Sequence, residues 1–270
     1  MNPFLPVVNS LLPEPHASLL NGIIFGVRAD IPKQFYQSLI STGTLHIIAL
    51  SGMNIAILVN LTARMTLFLG RKASSIISIG LIVLFVWFVG PSPTIMRAAI
   101  MGSLSLLAIY FGKRYYSLLA LFLTSAVMIT FDFSLIRNLS FQLSFLATLG
   151  LILANKQPER QSQSSLKENI FSKFFQPIKE NFKLTLSAQL FTMPVILYNF
   201  GRISLIAPIV NIAIEWAIQP IMVLGFLTAI AGLVWLPLGT IFAWMVWVPL
   251  TYLITVIEWM GKIPGASIQF

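Results

Sequence analysis

His46-Ile47-Ile48-Ala49-Leu50-Ser51-Gly52-Met53-Asn54 lies in the middle of 30 residues, Gln34 to Ala63, that contain no Lys, Arg, Asp or Glu. A run of that length is long enough to cross a bilayer as a helix. Within it stand an imidazole, a hydroxyl, an amide and a glycine that loosens the backbone. Lipid offers no hydrogen-bond partners, so polar groups clustered at membrane depth mark a place where the protein does something.

The rest of the chain has the same character. It is 57% hydrophobic and 9% charged, and its mean hydropathy is +0.88, which places it among membrane proteins. Pro3, Pro6, Pro13 and Glu14 interrupt the start, so no cleavable leader is expected. The chain has no cysteine, which excludes disulfides, thiolate metal sites and cysteine nucleophiles. Its two histidines, His16 and His46, are too few for a histidine-rich metal centre, so no metal or cofactor is expected. It has no phosphate-binding loop of the Walker type, so energy for any transport comes from elsewhere. Seventeen basic residues against eight acidic ones give a net charge of +9. In a membrane protein such an excess marks the cytoplasmic side before it implies nucleic acid.

The uncharged runs predict an all-α, polytopic membrane bundle of about 8–9 spans, each near 20 residues, with broken or re-entrant segments. Helices are expected near Leu45–Leu69, Ser74–Gly90, Thr94–Gly112, Tyr115–Phe131, Leu139–Ala154, Leu184–Phe200 and Leu238–Met260. Pro208 and Pro220 are expected to cut Ile203–Leu236 into pieces. The organisation that follows has four parts. Residues 1–44 form an extracytoplasmic or interfacial amphipathic segment, with Ser18–Val27 dipping into the membrane as a half-helix. Residues 45–154 form a first bundle of about five spans. Residues 155–183 form a basic cytoplasmic linker whose Asn169–Phe182 portion lies amphipathically on the bilayer surface. Residues 184–270 form a second bundle. With 155–183 inside, alternation places Arg71-Lys72 and Lys113-Arg114 inside as well, in keeping with the positive-inside rule.

His46, Ser51 and Asn54 are spaced i, i+5 and i+8, so an unbroken helix would place the first and last about 80° apart. They, with Gly52, read either as the polar lining of a path or as hydrogen-bonded glue between helices. Arg97 follows Pro93 and Thr94 at a helix start, where a cation opposes the helix dipole. It reads either as a side chain reaching the outer headgroups or as a phosphate contact. Glu215 is the only acid between Leu184 and Ile257. It is expected as a buried charge paired with Arg202 or Arg97, or as a proton or cation site. Gln142, Ser144, Gln189, Asn199 and Asn211 are uncharged hydrogen-bonders that singly suggest helix glue and together a hydrated lining. Trp87, Trp216, Trp235, Trp244, Trp247 and Trp259 read as interface belt or core ahead of a base-stacking platform.

Leu12-Pro13-Glu14-Pro15-His16-Ala17-Ser18-Leu19-Leu20-Asn21-Gly22, then Gly43-Thr44-Leu45-His46 through Ser51-Gly52, resemble the opening of the ComEC competence family, the DNA-uptake channel of the bacterial inner membrane. Pro91-Ser92-Pro93-Thr94-Ile95-Met96-Arg97-Ala98-Ala99 is similar to the family's Pro-x-x-Arg-Ala run. Phe141-Gln142-Leu143-Ser144-Phe145 is similar to its Gln-Leu-Ser-Phe run. Ala188-Gln189, Tyr198 to Ser204 and Asn211 resemble its last block. Two departures stand out. Asn54 occupies a place where family members typically carry a second histidine. The extracytoplasmic OB-like and metallo-β-lactamase-like domains of larger members are not in these 270 residues.

The resemblance implies a multi-pass protein of the bacterial cytoplasmic membrane that passes single-stranded DNA during natural transformation. It implies a channel and not an enzyme. Its partners would be the strand, the bilayer, separate OB-like and nuclease domains and a cytoplasmic DNA-translocating ATPase. The path would be lined by His46, Ser51, Gly52, Asn54, Arg97, Gln142, Ser144, Gln189, Asn199, Arg202 and Asn211. Two other classes compete. Ser51 beside His46 superficially suggests an intramembrane hydrolase, although Ala49 stands where a rhomboid-type centre wants glycine. A proton-coupled small-solute or lipid transporter would use Glu215 and the proline-broken segments after Ile203.

Overall fold

Apolar sequence becomes helix along almost the whole chain, because a helix satisfies its own backbone in a medium without water. The computed structural model describes residues 4–27, 31–48, 52–154, 170–204, 206–263 and 267–269. The side chains of 53, 170–181, 200, 202, 203 and 267–269 are outside that description. The helices are α1 (Phe4–Leu11), α2 (His16–Phe25), α3 (Lys33–Ser41), α4 (Gly52–Thr66), α5 (Arg71–Val89), α6 (Pro93–Tyr110), α7 (Ser117–Phe131), α8 (Leu139–Ala154), α9 (Ile170–Phe200), α10 (Ala207–Val234) and α11 (Leu236–Gly261). Two three-residue strands, β1 (Arg202–Ser204) and β2 (Ser267–Gln269), pair with each other.

Of these, α5, α6, α10 and α11 are long and apolar enough to cross a membrane, whereas α2, α4, α7 and α8 are shorter apolar helices. The expected count of 8–9 spans is therefore not reached by length. A helix of 15 or 16 residues, such as α7 or α8, extends only about 22–24 Å, short of the roughly 30 Å hydrocarbon core.

One compact unit comprises Met1–Tyr115 and Ser204–Ile268. Its spine is the hairpin of α10 and α11, whose shared face buries Ile214, Ile221, Val246, Leu250, Leu253 and Ile257. At the hairpin tip a Cβ added to Gly239 would lie 2.5 Å from Gly232 Cα, so only glycine permits this approach. Leu11 of α1 packs over the same point. Further along, Leu20 and Ile24 of α2 press against Gly225. Phe25 joins Phe4, Phe88 and Phe226, with ring centroids 6.0–6.5 Å away. A second core of Ile55, Ile82, Phe85 and Ile95 ties α4, α5 and α6 together.

Two expectations about helix continuity are overturned. Ile203–Leu236 is not cut at its prolines, because α10 runs unbroken for 28 residues. Pro208 falls in the first turn, where no backbone N–H is needed. Pro220 forfeits a single bond, to the Trp216 carbonyl, which the packed neighbours of a membrane helix tolerate. Conversely, the single helix expected over Leu45–Leu69 is a 3-10 turn (Leu45–Ile48), then α4 from Gly52, then a 3-10 turn (Leu67–Leu69). The 80° relation between His46 and Asn54 consequently has no basis.

The other unit comprises Tyr116–Ile203 with Gln269–Phe270. Its two polar helix starts are set locally. Asp132 Oδ1 accepts from Ser134 N at 2.9 Å, and Asn138 Oδ1 accepts from Ser140 N at 3.0 Å. Gly150 of α8 lets α9 come close, since a Cβ there would sit 2.8 Å from Ser187 O, and Ser187 Oγ donates to Gly150 O at 2.9 Å. The stretch expected as a surface helix and the span expected after it are parts of one 31-residue helix, α9.

Candidate functional site

Arg97 is the centre of the site. Ser92 caps α6, its hydroxyl accepting from Ile95 N at 3.4 Å, and Pro93 fixes the first turn. That start aims the fifth helical residue, Arg97, inward: its side chain is only 7% exposed. Of the two sequence readings, the one in which it reaches the outer headgroups does not describe this geometry. The guanidinium lies against the first turn of α4. A Cβ added to Gly52 would meet Ala98 Cβ at 3.2 Å and Arg97 Nη2 at 3.7 Å, so glycine at 52 is what admits α6 and its arginine. The first N–H groups of α4 have no helical acceptor and carry the positive end of the helix dipole. A buried guanidinium therefore lies beside the positive end of a helix.

Asn54, two residues on, is 3% exposed and its Nδ2 donates to Ile23 O of α2 at 3.0 Å. It joins two helices 31 residues apart in sequence and so fixes where α4 starts. His46 stands differently. Its side chain is exposed, with Nδ1 3.2 Å from Gly43 O, and its 3-10 turn is held by Ile48 packing on Gly22. Gly43 has φ +70° and sits against Ala207 and Ser204, so the turn that presents His46 requires glycine. Ser51 lies outside the described residues.

The remaining candidates are dispersed. In the second unit Gln142 Nε2 donates to Ile136 O at 2.7 Å, and the Ser144 carbonyl accepts from Thr148 Oγ1 at 2.9 Å. Asn199 is exposed and its Nδ2 donates to Val195 O one turn back at 2.8 Å. Gln189 is half-buried on α9. The Arg202 side chain lies outside the description. In the first unit Asn211 is half-buried on α10, with Oδ1 buried and unpartnered among the described residues. Glu215 is a correction: it was expected as a buried charge and is exposed on α10, because its neighbours Ile214 and Ala217 take the inward face. All six tryptophans have exposed surface.

Sequence reasoning passed over one polar group. His16 opens α2, and its Nε2 lies 2.9 Å from Thr251 Oγ1 of α11, with its ring stacked 5.6 Å from Trp247. Five residues on, Asn21 Nδ2 donates to Asn9 Oδ1 of α1 at 2.7 Å. The available signal was the Pro13-Glu14-Pro15 interruption in an otherwise apolar stretch, which announces a broken helix.

Residues 23–270 match the competence protein family. The chain belongs to that family. It is similar to ComE operon protein 3 of Bacillus subtilis (strain 168), 27% identical over 209 residues, which are 75% of this chain and 25% of that protein. It is also similar to an uncharacterized protein of Aquifex aeolicus (strain VF5), 27% identical over 133 residues, 49% of this chain and 32% of the other. The matched part of the chain thus spans between a quarter and a third of these relatives' lengths. No solved structure matches it.

Proposed function

We propose that this chain is the membrane conduit through which competent cells draw a single DNA strand across the cytoplasmic membrane. Membership of the competence family supports a role in DNA uptake. The observation that carries the finer reading is Arg97, a guanidinium 7% exposed and set against the N-terminus of α4. A positive group inside a low-dielectric wall attracts successive phosphates without reading bases, which is what a sequence-indifferent strand path needs. Gly52 and Asn54 hold the arginine's surroundings, and His46 lies exposed on the preceding turn. The chain acts as a path and carries no catalytic step. OB-like and nuclease domains and a translocating ATPase would act together with this path.

The transporter reading is weaker. It leaned on a proline-broken α10, which is continuous, and on a buried Glu215, which is exposed. The test is uptake of labelled DNA by transformable cells whose only copy carries Arg97→Ala or Arg97→Lys, with protein abundance followed in parallel. Loss of uptake in Arg97→Ala at normal abundance is expected. Wild-type uptake by that variant would remove Arg97 from the path.

A further inference from the structure

The N-terminal region contains a second polar site that the strand path does not use. Between α1 and α2 the helix is interrupted at Leu12-Pro13-Glu14-Pro15, and α2 then begins at His16. The depth of this break follows from its contacts on α11. Thr251, the partner of His16, lies 15 residues after Leu236 and ten before Gly261. At 1.5 Å per residue that is about 22 Å from one end of the span and about 15 Å from the other. The break therefore packs beside the middle of the α11 span. From Ala17 to Phe25, α2 is buried on every side, yet Pro13 and Glu14 are exposed. Irregular backbone and an exposed carboxylate at that depth are tolerated only where they line water.

The Thr251 hydroxyl lies 2.8 Å from Trp247 O and 2.9 Å from His16 Nε2. With its single proton on the Trp247 carbonyl it accepts from His16, an arrangement that suits the tautomer with the proton on Nε2 and a lone pair on Nδ1. Nδ1 is buried and has no hydrogen-bond partner among the described residues. Two residues before His16 stands the Glu14 carboxylate, whose Oε2 accepts from Ser18 N at 3.3 Å. Of the elements packed against α2, α10 brings Glu215, α11 brings Glu258 two turns beyond Thr251, the 3-10 turn Leu45–Ile48 brings His46, and α4, bonded to α2 through Asn54, brings Arg64.

We infer that the α1–α2 break is a proton-binding site formed by Glu14 and His16. A hydronium protonates the exposed Glu14 carboxylate and leaves as water, and the Glu14 side chain then turns to deliver that proton to the buried His16 Nδ1. The imidazolium is then held between Glu14 and the Thr251 hydroxyl, over the face of Trp247. The site stands independently of whether a strand passes Arg97.

The chain has only two histidines, so isotope-labelled histidine NMR on the full protein in lipid nanodiscs reports His16 and His46 alone. Glu14→Gln is the decisive variant, because the readout is on His16 itself and removes no core side chain. His16 should appear as the Nε2–H tautomer when neutral and titrate in exchange with bulk water within about pH 5–8. Its midpoint should fall in Glu14→Gln, since the carboxylate favours the charged ring. Thr251→Val should abolish the tautomer preference, and His46 should respond to neither variant. A His16 signal that stays neutral across the range, or a Glu14→Gln titration that overlays the wild type, would overturn the proposal. Either result would leave the role of Arg97 untouched, because that is read by DNA uptake.

Discussion

The two units differ in how far their polar side chains reach. In Met1–Tyr115 with Ser204–Ile268, polar side chains reach across helices: Asn54 to Ile23, Asn21 to Asn9, His16 to Thr251. In Tyr116–Ile203, Gln142, Asn199 and Thr130 close their bonds within six residues of themselves, and Ser187 reaches Gly150 on the neighbouring helix. A local bond forms in any helix, folded or not, and says little about tertiary design. A long-range bond in an apolar setting forms only when the bundle assembles, and breaking it strands a buried group. The first unit therefore relies more on polar residues to specify its packing, and the second uses most of its own locally, with Ser187 joining α8 and α9.

Arg97 offers the hardest test of that contrast. Arg97→Ala deletes the buried charge, and the loss of one charge-assisted contact of about 1.5–3 kcal/mol corresponds to roughly 10- to 100-fold weaker strand binding. Arg97→Lys should recover part of that, since an ammonium supplies the charge without the planar fork. DNA uptake and single-strand current blockades in a planar bilayer read both. No comparable loss is expected for Arg137, which is exposed on the second unit's turn.

Backbone approach gives the next largest effect, here on stability. Gly150→Ala places a methyl 2.8 Å from Ser187 O and should destabilise the α8–α9 pair by about 1–3 kcal/mol. Gly80→Ala on α5 meets nothing within 4 Å and should be neutral or stabilising by up to about 1 kcal/mol. Thermal unfolding in detergent separates the two.

The side-chain contrast itself is sharpened by two isosteric changes measured the same way. Asn54→Leu leaves Ile23 O without its buried donor and should cost about 1–3 kcal/mol. Asn199→Leu removes an exposed bond to Val195 O and should change stability by less than about 0.5 kcal/mol. Equal effects would mean that sequence separation of the partners is no guide to which unit's polar residues matter.

Much of the helix layout was legible. The span read as Leu139–Ala154 is found with those ends, and Thr94–Gly112 is found within two residues of them, because Asn138 and Pro93 are start signals that act locally. The proline reading failed at α10, and the break that prolines do make, between α1 and α2, was not read from the sequence. The sequence around Pro220 and around Pro13 is equally interrupted, and what differs is the packing on either side. Gly52, Asn54 and Arg97 were legible as candidates, while the inward aim of Arg97 and the His16–Thr251 bond were not. The latter joins residues 235 positions apart, beyond the reach of any local pattern.

Sequence alone determined that this is a helical membrane protein of the competence type, since hydropathy, charge placement and motif blocks are properties of short windows. The tertiary structure decided which polar groups are buried, which apolar helices are walled in by protein, and where a proline breaks a helix. Those outcomes depend on neighbours from distant parts of the chain. An identical apolar stretch satisfies its backbone equally well against lipid or against another helix, so only assembly distinguishes them.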